Sequence, residues 1–267
     1  MTSVIDNGDV LLDVADGVAE LRFDRPDSAN GMTVGLLRAF YDALMACHRM
    51  PDLRALVISG NGRHFSGGGD VRDFASHGEG LPDHLREVTS WLQISVSAMI
   101  RLPAPVIVKV QGYAAGGGGF GLVCAADFVV AGESARFLPA ATTVGMAPDG
   151  GTTVTLSRIV GIRQALRITL TNPRLTAKEA LELGIVSEVV PDAELDSHTA
   201  DLARTLAQGA PRALAATKRL LWDGVGRSVE EALPDEARTV SALSGTADAR
   251  EGLAAVLERR APLFTGR

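Results

Sequence analysis

An α/β fold with a helical C-terminal region is predicted by three observations. Through the middle of the chain, short β-branched runs alternate with glycine-rich loops and helical stripes, the pattern of strands covered by helices. From Gly150 onward the texture becomes alanine- and leucine-rich, interrupted by one β-branched run at 186–190. Finally, 46% of the 267 residues are apolar. A chain of this mass leaves roughly 11,000 Å² exposed out of about 40,000 Å² when extended, ample for a core.

The elements follow in order. Residues 10–14 and 18–23 are apolar runs joined by Ala15-Asp16-Gly17, a hairpin whose glycine supplies positive φ. From Thr33 the period changes: Leu36, Leu37, Phe40, Leu44 and Met45 share one helical stripe, with Thr33 as N-cap. Residues 53–59 read as a strand ending at Gly60-Asn61-Gly62. A helix over 81–101 is stopped by Pro103 and Pro105. A strand at 106–110, a helix at 120–125 and a strand at 127–131 follow. Beyond them, 163–171, 176–183, 195–208 and 212–222 read as helices, as do the stretches after Ser228 and Thr246.

Composition excludes several classes of function. With 26 basic and 32 acidic residues and a net charge of −6, the chain offers no basic stripe for nucleic acid. No apolar run approaches the roughly 18 residues that span a bilayer. The polar, acidic first ten residues are not a secretory signal, so a cytoplasmic location is expected. Cys47 and Cys124 lie far apart in apolar stretches, and the five histidines form no HxxxH or HExxH pair. No metal centre is therefore predicted.

Two glycine-dense loops carry the chemical signal: residues 62–71, containing Phe65-Ser66-Gly67-Gly68-Gly69-Asp70, and 111–121, containing Gly116-Gly117-Gly118-Gly119. Each glycine costs about 0.5–1 kcal/mol relative to alanine. Their density points to backbone N–H groups that approach something closely. Gly116-x-Gly118-x-x-Gly121 formally fits a dinucleotide fingerprint, but five residues separate it from the strand and Asp127 comes too early for the ribose acid. No GKS or GKT follows, which removes a P-loop. Tight turns with close helix packing are the purely structural alternative.

Both loops together resemble the crotonase superfamily, the enoyl-CoA hydratases and isomerases. The first is similar to its F-(C/S)-x-G-x-D signature and the second to its N-G-x-A-x-G-G-G stretch. Phe137, Gly145, Pro148-Asp149-Gly150-Gly151, Leu156-Ser157-Arg158 and Gly184-Ile185-Val186 follow in the family's order, from Phe23-Asp24-Arg25-Pro26 through Arg259-Arg260 to Phe264. The resemblance implies a ClpP/crotonase-like fold of repeated ββα units. It implies a core over 1–200 with the thioester site and a helical trimerisation region over 201–267. It also implies acyl-CoA substrates, with coenzyme A part of the substrate and no further cofactor, and assembly into homotrimers or homohexamers.

For the site, the resemblance implies an oxyanion hole of two backbone N–H groups. One is that of Gly69, beside Gly68. The other is that of Gly117, counting from Gly112, or of Gly118, counting back from Asp127, because this loop is one residue longer than the family norm. Hydratases of the family use two glutamates; here those places hold Phe120 or Gly121, and Ala141 beside Ala140. Two-glutamate hydration is not expected. Asp149 remains, at a position where relatives move protons or, in aryl-CoA dehalogenases, attack the ring. Those dehalogenases also place a histidine in the helix before Pro103, where Trp91 and the stretch from Ser95 to Ile100 offer none. Asp149 is expected to sit in an apolar pocket of Ala140, Ala141, Val144 and Met146, which would raise its pKa; alternatively, it caps the helix that follows. Asp70 and Arg72 are placed at the substrate, Arg72 near the CoA phosphates, and Phe264 over the adenine of a neighbouring subunit's CoA; a turn cap, a solvated arginine and plain core packing are the respective structural alternatives. The leading expectation is double-bond isomerisation. Hydratase-like or dehalogenase-like chemistry through Asp149 and a non-catalytic CoA-ester-binding protein are its rivals.

Overall fold

The computed structural model describes residues 2–267. Its strands, in chain order, are β1 (Thr2–Asp6), β2 (Val10–Ala15), β3 (Val18–Phe23), β4 (Ala55–Gly60) and β5 (Val106–Val110). They continue with β6 (Tyr113–Ala115), β7 (Phe128–Gly132), β8 (Arg136–Leu138), β9 (Leu175–Thr176) and β10 (Glu188–Val190). Seven form one sheet in the order β1-β2-β3-β4-β5-β7-β10; β6, β8 and β9 form a second. The hairpins β1–β2–β3 are antiparallel and every later pairing in the large sheet is parallel. Parallel strands need cover on both faces, and the whole of β4 is buried accordingly.

The helices are α1 (Val34–His48), α2 (Val71–Ser76), α3 (Leu81–Arg101), α4 (Leu122–Ala125), α5 (Thr152–Val160) and α6 (Ile162–Thr171). They end with α7 (Ala177–Glu182), α8 (Leu195–Ala207), α9 (Pro211–Gly224), α10 (Val229–Ser244) and α11 (Ala247–Glu258). Thr33 caps α1, its hydroxyl accepting from Leu36 N at 3.2 Å. The stripe it opens buries Leu36, Leu37, Phe40 and Leu44 against the sheet. On the opposite face, Leu195 and Ala203 of α8 pack with Val57, Ile107 and Val130. Strand, strand and helix recur as β2–β3–α1 and β5–β6–α4, the expected ββα repeat.

Several elements were not expected. β1 is an exposed edge strand of polar composition. The short strands β6, β8 and β9 exist only through their partners, and β9 adds a second strand after Gly150. α2 is a single short helix after the first glycine loop. The expected division between residues 200 and 201 falls inside α8, which packs on the main sheet as part of the core.

The helical C-terminal part is fastened to the sheet by a buried polar knot. Lys218 of α9, 8% exposed, forms an ion pair with Asp127 at 2.6 Å and donates to the carbonyls of Met99 and Ala104. Trp222 Nε1 also donates to Asp127, whose other oxygen accepts from Val106 N at the start of β5. Among the described residues, no helix is long and apolar enough to cross a membrane.

Candidate active site

The small sheet brings the two glycine loops together. Its ladder runs from Leu175 through Phe137 to Ala114 and is extended by a parallel bridge from Ala114 to Ser66. Phe65 N and Ser66 N donate to Gln111 O and Tyr113 O at 2.9 and 3.1 Å, and Ala115 N returns a bond to Ser66 O at 2.9 Å. The loops thus lie in parallel register. Phe65, fully buried against Phe23 at a ring distance of 5.8 Å, anchors the first with about 2–3 kcal/mol of apolar burial.

Asn30 holds that loop from below. This residue is fully buried; its Nδ2 reaches the carbonyls of Asn61, His64 and Phe65 at 3.0, 2.8 and 3.1 Å, and its Oδ1 accepts from Arg25 N. A second tie is His64 Nδ1, which accepts from Tyr113 N at 3.2 Å. Such an acceptor nitrogen carries no proton, and burial together with Arg63 pulls the His64 pKa below its ordinary value. From sequence, His64 reads only as a partly exposed loop histidine, as it is, and Asn30 draws no notice. Asn30-Gly31 reads as an ordinary turn dipeptide, and nothing beside it in sequence points to a loop some thirty residues ahead.

Beyond Ser66 the two loops touch. Gly116 has φ +59° and ψ −168°, backbone that only glycine adopts readily. A Cβ there would lie 3.3 Å from Gly68 Cα and 3.8 Å from Gly69 N. Met32 N donates to Gly68 O and Asp70 N to Met32 O, so this bridge leaves the Gly69 N–H without an acceptor among the described residues. The next helical turn, Gly117–Gly121, is π-helical. A π turn holds one more residue than an α turn, the form in which a loop one residue longer would be taken up. Gly117 is the first helical residue, and its N–H has no carbonyl one turn back. Gly118 is buried, facing the Met32 side chain.

Asp149 meets this turn. A Cβ on Gly117 would stand 2.6 Å from Asp149 Cγ and nearer still to Oδ1, so only glycine lets the carboxylate come so close. The acid does not cap α5: Gly151 is the N-cap, and the Asp149 main-chain carbonyl accepts from Thr152 N and Oγ1 at 3.0 and 2.7 Å. Burial holds its carboxyl above the usual range, with its own N–H offsetting part of the shift. The expected wall differs. A groove of about 420 Å³ beside Asp149 is lined by Thr89, Gln93, Val96, Ser97, Ile100 and Arg101 of α3. Ala140, Ala141, Val144 and Met146 do not line it, and Val144 is 56% exposed.

The other expected residues are less concentrated. Gly121 faces the Asp149 turn too closely for a side chain, since its Cβ would sit 2.8 Å from Thr152 Oγ1. Phe120 is fully buried in the core. Ala141 opens a short 3-10 turn and is half-buried. The Asp70 carboxylate caps α2, accepting from Arg72 N and Asp73 N, and pairs with Arg25 at 3.3 Å, so it is committed structurally. Arg72 is exposed. Phe264 is half-buried, its ring 3.5 Å from the place of a Gly252 Cβ on α11.

Known proteins are similar to this chain in sequence and fold. The enoyl-CoA hydratase/isomerase family model matches residues 13–267. A Rhodobacter capsulatus protein described as a probable enoyl-CoA hydratase is 37% identical over 259 residues, covering 97% of this chain and 98% of its own. A trans-2-decenoyl-[acyl-carrier-protein] isomerase of Streptococcus mutans is 32% identical, covering 98% and 100%. The crystal structure of an enoyl-CoA hydratase from Bacillus anthracis superposes with a TM-score of 0.92 at 29% identity, covering 97% of this chain and all of that one. The crotonase fold read from the sequence is thus confirmed, and the chain belongs to the enoyl-CoA hydratase/isomerase family.

Proposed function

We propose that this protein shifts a carbon–carbon double bond in an acyl-CoA thioester. Gly69 and Gly117 present their N–H groups to the thioester oxygen, and Asp149 carries the proton. The observation that supports this reading is the close approach of the Asp149 carboxylate to Gly117, whose N–H has no carbonyl one turn back. Asp149 removes a proton from an acyl carbon, leaving an enolate whose charge gathers on the thioester oxygen. Each preorganised donor lowers that barrier by on the order of 3 kcal/mol. The same carboxyl then returns the proton to the other end of the allylic system, so atoms and charge balance. An acid pushed up by burial is the stronger base once ionised.

Hydration by two glutamates finds no support at Gly121 or Ala141, neither of which bears a titratable group. Arg72, exposed beside the first loop, is the group we assign to the CoA phosphates. Leu253, Val256 and Leu257 of α11 are 69%, 77% and 84% exposed, apolar surface of the kind that assembly covers. We assign it to a homotrimer or a pair of trimers in which Phe264 reaches a neighbouring subunit's CoA. Sedimentation equilibrium tests the assembly.

The reaction is tested by turnover on a panel of enoyl-, dienoyl- and aryl-CoA esters, comparing wild type with Asp149→Asn. Loss of isomerisation by a factor of about 10²–10⁴ is expected for the variant. Equal turnover on every productive substrate would remove Asp149 from the mechanism. CoA-ester binding with no turnover by either protein would identify a binding protein instead.

A further inference from the structure

Away from the glycine loops, the fold gathers three metal-ligating side chains that the linear spacing separates. Asp73 lies in the first turn of α2 and His77, four residues on, just beyond its end, while His84 lies on the first turn of α3. One ligand atom from each falls within 4.8 Å of the other two. We propose that Asp73, His77 and His84 form a binding site for one divalent transition-metal ion of the zinc type.

The donor chemistry selects that class. Two imidazole nitrogens and one carboxylate oxygen suit zinc, cobalt or nickel, whereas magnesium and calcium prefer oxygen alone. His77 is already prepared as a ligand. Its Nδ1 lies 2.8 Å from the Asp73 main-chain carbonyl, which can only accept, so Nδ1 carries the proton and Nε2 presents a lone pair. A second ring nitrogen donating to a carbonyl is the usual support of a metal-bound histidine. His84 Nε2 lies 2.7 Å from Asp73 Oδ2, so a proton bridges two of the three donors. The ion takes that proton's place at Nε2, and the ring's proton moves to Nδ1.

The His77 and His84 rings are stacked, 3.5 Å apart and inclined by 11°, so they must fan open to share an ion. His77 is exposed, so its ring can turn about the Nδ1 bond to Asp73, while His84, with a side chain only 11% exposed, stays fixed by packing. The fourth ligand position is left to water. An ion here would pin α2 to α3. Because the Phe74 ring of α2 fills the space beside the Gly69 Cα, the same ion would hold the cover of Gly69 in place. The cysteines do not compete: both are buried, and burial pushes the Cys47 thiol up to about 12 and the Cys124 thiol higher.

The test is zinc affinity of the full-length, metal-stripped protein by competition with a chromogenic chelator, with cobalt absorption as a reporter of coordination. One equivalent is expected in the wild type. His77→Ala and Asp73→Asn should each weaken binding by about tenfold or more and abolish the visible cobalt bands. His198→Ala removes a His–Glu pair elsewhere on the surface and should change nothing. Circular dichroism confirms that the variants fold, which exposed His77 makes undemanding. Absence of zinc binding in the wild type, or unchanged affinity in both His77→Ala and Asp73→Asn, would overturn the proposal.

Discussion

Gly117→Ala puts the placement of Asp149 under direct strain. Ordinary contact begins near 3.4 Å, and the new Cβ would stand 2.6 Å from Asp149 Cγ, so the carboxyl must retreat by at least about 0.8 Å. Alanine keeps the Gly117 N–H, so the substitution moves the acid and leaves the donor in place. A shift of about 1 Å in a reacting group costs on the order of 10²-fold, or about 2.7 kcal/mol of barrier. The fold should scarcely notice, because the acid borders a groove into which it can swing. Gly118→Ala supplies the contrast: its Cβ drives into Met32 in the buried core, and overpacking costs about 1–3 kcal/mol of stability. The assay is kcat/KM on the best ester of the panel, with Tm measured alongside. Turnover of Gly117→Ala within about threefold of wild type, in a folded protein, would refute the reasoning, since that allows well under 1 kcal/mol of barrier.

Four further outcomes are expected. Burial raises the Asp149 pKa in the folded state, so its protonated form favours folding, and that stability is lost as pH rises from the unfolded value through the folded one. Asp149→Asn should therefore raise Tm at neutral pH while removing turnover; an unchanged or lower Tm there would contradict the burial argument. Asn30→Ala strips three carbonyls of the first glycine loop of their donor, and should cost about 2–4 kcal/mol in denaturant unfolding. Lys218→Ala leaves Asp127 buried beside Trp222 without its cation, a loss of about 3–5 kcal/mol and of several degrees in Tm. Asp248, 4% exposed, accepts from Thr265 N and Gly266 N at 2.7 and 2.9 Å; Asp248→Ala should free the segment that carries Phe264, seen as faster proteolysis after residue 260.

What could be read from the sequence was whatever is written locally. The stripe of α1 with its Thr33 cap, α3 between its leading polar turn and Pro103, and the β-branched runs of β4 and β5 each announce themselves within a dozen residues. β6, β8 and β9 do not, because two or three residues have no period and pair only with distant partners. Asn30 escaped for the same reason: its three carbonyls lie 31 to 35 residues ahead. The wall beside Asp149 was sought among its neighbours in sequence, whereas α3 supplies it from some fifty residues earlier. Spacing alone is silent on how a helix takes up one surplus residue, and so on the choice between Gly117 and Gly118.

The π turn at 117–121 has a consequence for how such a protein diverges. Lengthening a helix by one residue ordinarily rotates everything after it by about 100°, which would tear α4 from the core. Confining a surplus residue to a single wide coil would spare Leu122 and its successors while changing which residue looks across at the acid. A run of four glycines makes the adjustment sterically cheap. New chemistry can thus be explored at the mouth of a helix while the strands beneath keep their pairing unchanged.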